Sequence, residues 1–311
     1  MTYSSSRRSW LLAAAALPLS LAVQARAADS ASAGANANAN ATANANPSAN
    51  PNAARFAQLE GTFGGRLGVY ALDTGNGARI MYRESERFPF CSTFKVILAG
   101  AILTMSERNE GLLKRRIKYS QKEVVHYSPI SEKHVADGMT IEELCRAALQ
   151  YSDNTAANML IAQAGGPSGV TSFAHSIGVD EFRLDRWETA LNDAIPGDPR
   201  DTATPAAMAH ALQVLTLGDA LPAALRETLQ TWLRGNTTGT KRIAAGVPAG
   251  WQVGDKTGTG DYGTGNDLAI LWPPGRKPVI LAVYHTNSDA NAQPNDQVIA
   301  EAAKIVAAAL G

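Results

Sequence analysis

The stretch Cys91-Ser92-Thr93-Phe94-Lys95-Val96-Ile97-Leu98 sets a serine and a lysine three residues apart at the head of an apolar run. The run continues through Ala99-Gly100-Ala101-Ile102-Leu103-Thr104-Met105 without a proline and reads as a buried helix. Pro89 stands just upstream, so Ser92 falls at the cap or in the first turn. Residues i and i+3 share a helix face, which lets the Lys95 amine lie beside the Ser92 hydroxyl. Unpaired N–H groups and the positive end of the helix dipole face the same oxygen. Such groups suit an oxyanion formed when a serine attacks a carbonyl. Alone, the same residues equally describe a capping serine and a solvated lysine, so the rest of the chain decides.

Working outward, Arg55 to Gly61 reads as the start of a short helix. Arg66 to Asp73 alternates like a strand, Asp73-Thr74-Gly75-Asn76-Gly77 is a turn, and Ala78 to Tyr82 returns as a second strand. The middle of the chain is mostly helical, over Ile141 to Gln150, Thr155 to Ala164, Gly169 to Ile177, Thr204 to Leu217 and Pro222 to Leu233. Strand patterns come back at Trp251 to Gly258, Asn266 to Trp272 and Val279 to Tyr284, before a last helix from about Asp296 to Leu310. The expected fold class is α/β plus all-α. One antiparallel sheet is built from both chain ends, with flanking helices, and packs on a helical subdomain. The α/β part covers about 55–88 and 235–311 and the helical part about 89–234, with a site expected in the cleft between them.

The 311 residues are 45% hydrophobic and 18% charged, which fits a globular protein with a sizeable core. Basic and acidic residues balance at 28 each, and a nucleic-acid surface would need a basic excess or patch. The run Lys114-Arg115-Arg116-Ile117-Lys118 has no interleaved aromatics and reads as solvated surface. Near the start, Arg7-Arg8 precede the apolar Trp10 to Leu17, and Ala25-Arg26-Ala27 is a small-x-small cleavage site, so residues 1–27 read as an export signal. The paired arginines fit the twin-arginine route, with an ordinary secretory signal as the alternative. The apolar segment is too short and interrupted to span a bilayer, and no later stretch is apolar enough to anchor the mature chain. Residues 28–54 are almost all Ala, Asn and Ser and read as a disordered linker. The five histidines show no metal-ligand spacing, so no metal is expected.

Three further clusters carry chemistry. Ser152-Asp153-Asn154 lies in a break between helical runs, and Lys256-Thr257-Gly258-Thr259-Gly260 ends a strand pattern. Arg186-Trp187-Glu188-Thr189-Ala190-Leu191-Asn192 opens an irregular stretch, with Pro196, Gly197 and Pro199, that ends near Asp201. Loops of that length inside a compact domain are usually functional. Singly, each cluster has a plain reading as a helix cap, a strand end or a surface carboxylate.

Together they form a pattern. Ser-x-x-Lys, Ser-Asp-Asn and Lys-Thr-Gly, each present once and in that order, are the motif set of class A β-lactamases and penicillin-binding proteins. Glu188-Thr189-Ala190-Leu191-Asn192 matches the Glu-x-x-x-Asn of the class A Ω-loop. From about residue 55 to its C-terminus the chain resembles a class A serine β-lactamase. The resemblance implies hydrolysis of a small-molecule β-lactam through an acyl-enzyme, conferring antibiotic resistance, by a monomeric periplasmic enzyme without a cofactor. It makes Ser92 the nucleophile, with Lys95 or a Glu188-bound water as the acylation base, a choice that stays open. Glu188, with Asn192, would aim the deacylating water. Ser152 would pass a proton to the departing lactam nitrogen, and Lys256 would supply positive potential. The backbone N–H groups of Ser92 and Thr259 would form the oxyanion hole. Asn154, Thr257, Gly258, Thr259 and Arg242 would bind substrate, and Tyr127 would stand at the cleft rim. Arg186 and Asp201 would pair across the neck of the Ω-loop.

Two departures from relatives matter. Positions that pair with Cys91 or Cys145 in some relatives are here Gly260 and Ala99, so both thiols are expected to be free. Many relatives have proline after the Ω-loop glutamate; this chain has Thr189, and a cis Glu188–Thr189 bond is expected by resemblance. The competing readings are a penicillin-binding D,D-peptidase and a β-lactam sensor that stays acylated. Neither needs Glu188 and Asn192, and the sensor needs a membrane tether.

Overall fold

The computed structural model describes residues 51–311. The expected export signal and residues 28–50 of the expected linker lie outside them. Helix α1 (Pro51–Phe63) opens on a proline, whose fixed φ suits a first helical turn. Residues 51–54, read from composition as linker, are therefore helical. The hairpin β1 (Arg66–Asp73) and β2 (Arg79–Tyr82) follows. After β3 (Phe88–Pro89) comes a 3₁₀ turn over Cys91–Phe94, and only then α2 (Lys95–Arg108). Ser92 thus sits in a tight turn one step ahead of the α-helix proper. The helical part continues with β4 (Arg116–Ile117), β5 (Met139–Thr140), α3 (Ile141–Gln150), α4 (Asn154–Gln163) and α5 (Gly166–Ser176). Beyond the long loop are β6 (Thr202–Ala203), α6 (Pro205–Thr216), α7 (Ala223–Arg234) and α8 (Ile243–Gly246). The chain closes with β7 (Gln252–Thr259), β8 (Gly265–Trp272), β9 (Val279–Thr286) and α9 (Asp296–Leu310).

The long strands form one antiparallel sheet in the order β2-β1-β9-β8-β7, so the first hairpin pairs with the last strand as expected. Alternation along the strands sorts side chains to two cores. Leu268, Ile270, Ile280, Ala282 and Tyr284 face the helical block, packing with α2, α3, α4 and α6. Their neighbours Ala269, Leu271, Val279, Leu281 and Val283 pack instead with Phe56 of α1 and with Val298, Ile299, Ala302 and Val306 of α9. The sheet is therefore a middle layer, buried on both faces. The short ladders β3–β6 and β4–β5 escaped the sequence reading, because two-residue strands carry no periodicity. The first of them matters here: it fastens the end of the long loop beside the serine turn, with Phe90 N donating to Asp201 O at 3.2 Å.

Candidate active site

The 3₁₀ turn places the Lys95 Nζ 3.0 Å from Ser92 Oγ, as the spacing requires. Both residues are buried, Lys95 completely. The amine also lies 2.9 Å from Glu188 Oε1, 2.9 Å from Ser152 O and 2.7 Å from Asn154 Oδ1. The carboxylate, carbonyl and amide oxygens can only accept, so the amine is the donor to them. Asn154 Nδ2 donates to His126 O at 3.0 Å, which fixes the amide's orientation. The Ser92 hydroxyl accepts from the amine at 3.0 Å and donates to Glu188 Oε1 at 3.3 Å.

Glu188 reaches Ser92 because its loop is tied at both ends and in the middle. Arg186 Nε meets Asp201 Oδ2 at 2.5 Å, and Asp201 Oδ1 accepts from the N–H groups of Asp185 and Arg186. A second bond joins Arg186 to Asp193 at 2.7 Å. In the middle, Asn158 of α4 grips the Glu188 backbone: its Oδ1 accepts from Glu188 N at 3.0 Å and its Nδ2 donates to Glu188 O at 2.9 Å. The Glu188–Thr189 bond is cis. The carboxylate's other oxygen accepts from Asn192 Nδ2 at 2.6 Å.

Ser152 lines the same cleft as Ser92. Asp153 behind it is the N-cap of α4, accepting from Ala156 N, and also holds Ile130 N, Ser131 N and Ser131 Oγ. The plain capping reading of Ser-Asp-Asn is thus correct for its middle residue, and the cap is what leaves Ser152 and Asn154 facing the cleft. Lys256 Nζ donates to Ser152 Oγ at 3.0 Å and to Thr257 O at 2.7 Å. Burial first, then the Lys95 charge, pushes Lys256 well below the usual lysine range. Cys91, Tyr127, Ser152 and Asp201 all have positive φ, which is uncommon outside glycine and clusters at functional sites.

The cleft between the two parts holds about 590 Å³ and is lined by Ser92, Tyr127, Ser152, Asn154, Asn192, Arg242, Thr257 and Thr259, among others. Tyr127 is half exposed at the rim. Arg242 is buried, which rules out a plain surface arginine, but most of its donors are committed. Nε meets Asp296 at 2.7 Å, and Nη1 donates to Gly258 O and Asn266 O at 2.7 Å each. It adjoins the cleft through Nη2, which donates to Thr259 Oγ1 at 2.8 Å. Cys91 and Cys145 are free and buried, and burial pushes both thiols up. Among the described residues no group of three or more His, Cys, Asp or Glu side chains is arranged to hold a metal ion.

Asn158 was missed from sequence, although a signal existed: it lies four residues after Asn154 on the same helix and so shares its face. Asn266, in an apolar strand, carried no such cue.

Residues 52–310 match the model of the β-lactamase enzyme family. A carbapenem-hydrolysing β-lactamase KPC of Klebsiella oxytoca is 55% identical over 260 residues, covering 83% of this chain and 89% of that protein. β-Lactamase OXY-1, also of Klebsiella oxytoca, is 49% identical over 306 residues, 98% of this chain and 99% of its own. The crystal structure of a β-lactamase from Desulfarculus baarsii superposes with a TM-score of 0.83 at 55% identity, covering 86% of this chain and 98% of that one. With the serine, the two lysines and the loop glutamate converging on one cleft, the chain belongs to the β-lactamase enzyme family, among the class A enzymes.

Proposed function

We propose that this chain hydrolyses β-lactam antibiotics through an acyl-enzyme on Ser92 and so confers resistance to them. The observation that carries the reading is Glu188, whose carboxylate lies 3.3 Å from Ser92 Oγ and 2.6 Å from Asn192 Nδ2. A carboxylate so close to the nucleophile, with an amide beside it, can bind and deprotonate a water aimed at the acyl carbon. A D,D-peptidase or a sensor needs no such group.

In acylation, Ser92 Oγ attacks the lactam carbonyl and its proton passes to Lys95 or Glu188, each within hydrogen-bond reach of that oxygen. Whichever of the two takes the proton, the other lies 2.9 Å from it and shares the charge that develops. The carbonyl oxygen becomes an oxyanion held by the N–H groups of Ser92 and Thr259. As the C–N bond breaks, Ser152 gives its proton to the lactam nitrogen and regains one from Lys256, while the Ser92 proton leaves the Lys95–Glu188 pair to solvent and solvent reprotonates Lys256. Lys256 donates to Ser152 Oγ and leaves that hydroxyl proton free for the transfer. In deacylation Glu188, ionised again, takes a proton from water, the resulting hydroxide attacks the ester, and Glu188 returns that proton to the departing Ser92 Oγ. Asn154, Thr257, Gly258, Thr259 and Arg242 orient the substrate, with Tyr127 at the rim. Arg186 and Asp201 act by holding the loop.

The same proposal has residues 1–27 removed on export and the mature monomer acting in the periplasm. Arg7-Arg8 and the apolar run after them support export, and no helix among the described residues is long and apolar enough to cross a membrane. Turnover of a chromogenic cephalosporin by the wild type, with neither turnover nor a covalent adduct in Ser92→Ala, is the expected result. An adduct in Ser92→Ala would overturn the assignment.

A further inference from the structure

The oxyanion hole proposed above joins two elements that are not neighbours in sequence, the turn carrying Ser92 and the strand β7 carrying Thr259. One buried side chain ties them. Asn266 on β8 is fully buried and spends both Nδ2 protons on consecutive carbonyls of the serine turn, Pro89 O at 2.8 Å and Phe90 O at 3.1 Å. Its Oδ1 accepts from His285 N of β9 at 3.4 Å, which sets which end of the amide meets the turn. In register, Asn266 pairs with Gly258 of β7, one residue before Thr259. That pair lies directly against the turn: a Cβ on Gly258 would come within 2.7 Å of Phe90 O and 3.2 Å of Ser92 N. Behind it, Arg242 Nη1 joins the two strands by donating to the carbonyls of both Gly258 and Asn266.

The turn needs such a hold. Cys91, between Phe90 and Ser92, has φ +47°, a region sparsely populated by residues with a side chain. Its conformation aims the next peptide N–H, that of Ser92. Phe90 O is pinned by further donors, Thr93 N at 3.2 Å and Thr93 Oγ1 at 2.8 Å, and the Thr93 hydroxyl is backed by Tyr284 OH at 2.8 Å. Of these groups, Asn266 alone reaches from the ladder partner of β7 to the turn's carbonyls.

We infer that Asn266 is a positioning residue of the oxyanion hole, fixing the spacing between the Ser92 N–H and the Thr259 N–H so that both converge on one oxygen. The inference rests on the reading of Ser92 as nucleophile. It makes Asn266 matter to the polarisation of the substrate carbonyl, without touching substrate itself.

The test compares Asn266→Ala with the wild type for acylation rate, and Glu188→Ala with Glu188→Ala/Asn266→Ala for the infrared stretch of the acyl carbonyl. Peptide mapping first locates the adduct in the Glu188→Ala parent; an adduct elsewhere than Ser92 defeats the nucleophile assignment, and the inference with it. With the adduct on Ser92, loss of Asn266 is expected to slow acylation by about 10- to 100-fold, as for a donor displaced by up to an ångström. The substrate dissociation constant should change little, and the acyl carbonyl stretch should move to higher wavenumber. A merely structural role would lower thermal stability and leave that stretch unmoved. Acylation within about twofold of the wild type and an unshifted stretch would overturn the inference. Should Asn266→Ala not fold, Asn266→Gln is read by the same measurements, which report only on folded, acylated protein.

Discussion

Replacing Asn158 by alanine removes both bonds that hold the Glu188 peptide, at 2.9 and 3.0 Å, while leaving every group that touches substrate in place. The net value of one such bond is about 1 kcal/mol, and a buried group left unpaired costs about 1–3 kcal/mol. Asn158 is partly exposed, so water can replace the lost partners, and the stability loss should be about 2 kcal/mol. At about 2–4 °C per kcal/mol for a domain of this size, the melting temperature should fall by about 4–8 °C. The kinetic effect should be larger and selective. The loop neck stays closed through Arg186 and Asp201, and Lys95 still holds Glu188 Oε1, but the backbone that sets the carboxylate's height is free. A displacement of about 1 Å costs about 100-fold in rate. Deacylation depends on Glu188 and a water together, so it should fall by that factor and acylation by less. Stopped-flow turnover of a chromogenic cephalosporin should then show a burst of one product per enzyme followed by a slow steady state. A folded Asn158→Ala protein with deacylation within about twofold of the wild type would refute the view that this clamp positions the glutamate.

Two other outcomes follow from buried groups. Asp255 and Asp267 lie on one face of β7 and β8, and burial pushes both carboxyls up, Asp267 further because of the neighbouring Asp255 charge. A carboxyl raised in the folded state stabilises below its unfolded value near 3.8, and that contribution is lost as pH rises through the folded value. Asp267→Asn keeps an acceptor for Ile243 N and gains an N–H for Asp255, so its melting temperature relative to wild type should rise as pH increases above 4; a difference constant with pH would contradict the raised Asp267 carboxyl. Cys91 and Cys145 are fully buried with their thiols pushed up, so a thiol reagent should label neither in the native protein and both after denaturation; prompt native labelling would contradict that burial.

Much of the site was legible because its chemistry is written locally. Ser92 and Lys95 sit one turn apart, and Glu188 and Asn192 share a four-residue step, so spacing alone brings each pair together. The sheet was legible because β8 and β9 alternate between two cores. What spacing could not give was contact across the fold. Asn266 lies 177 residues from Pro89 and Asn158 lies 30 from Glu188, and neither local sequence names the partner across the fold. Arg242 was expected at the substrate site, and the neighbours that hold it there, Asp296, Gly258 and Asn266, come from three separate segments. The start of α1 was set four residues late because alanine and asparagine composition says nothing of where tertiary packing begins to hold a helix.

The central claim is that Glu188 frees Ser92 from its acyl group, and time-resolved intact mass of Glu188→Ala mixed with a penicillin tests it most directly. The account predicts an adduct of one penicillin per chain, mapped to Ser92, that persists long after the wild-type protein has returned to its free mass. A Glu188→Ala protein that sheds the adduct as fast as the wild type, or that carries it on a residue other than Ser92, would contradict it.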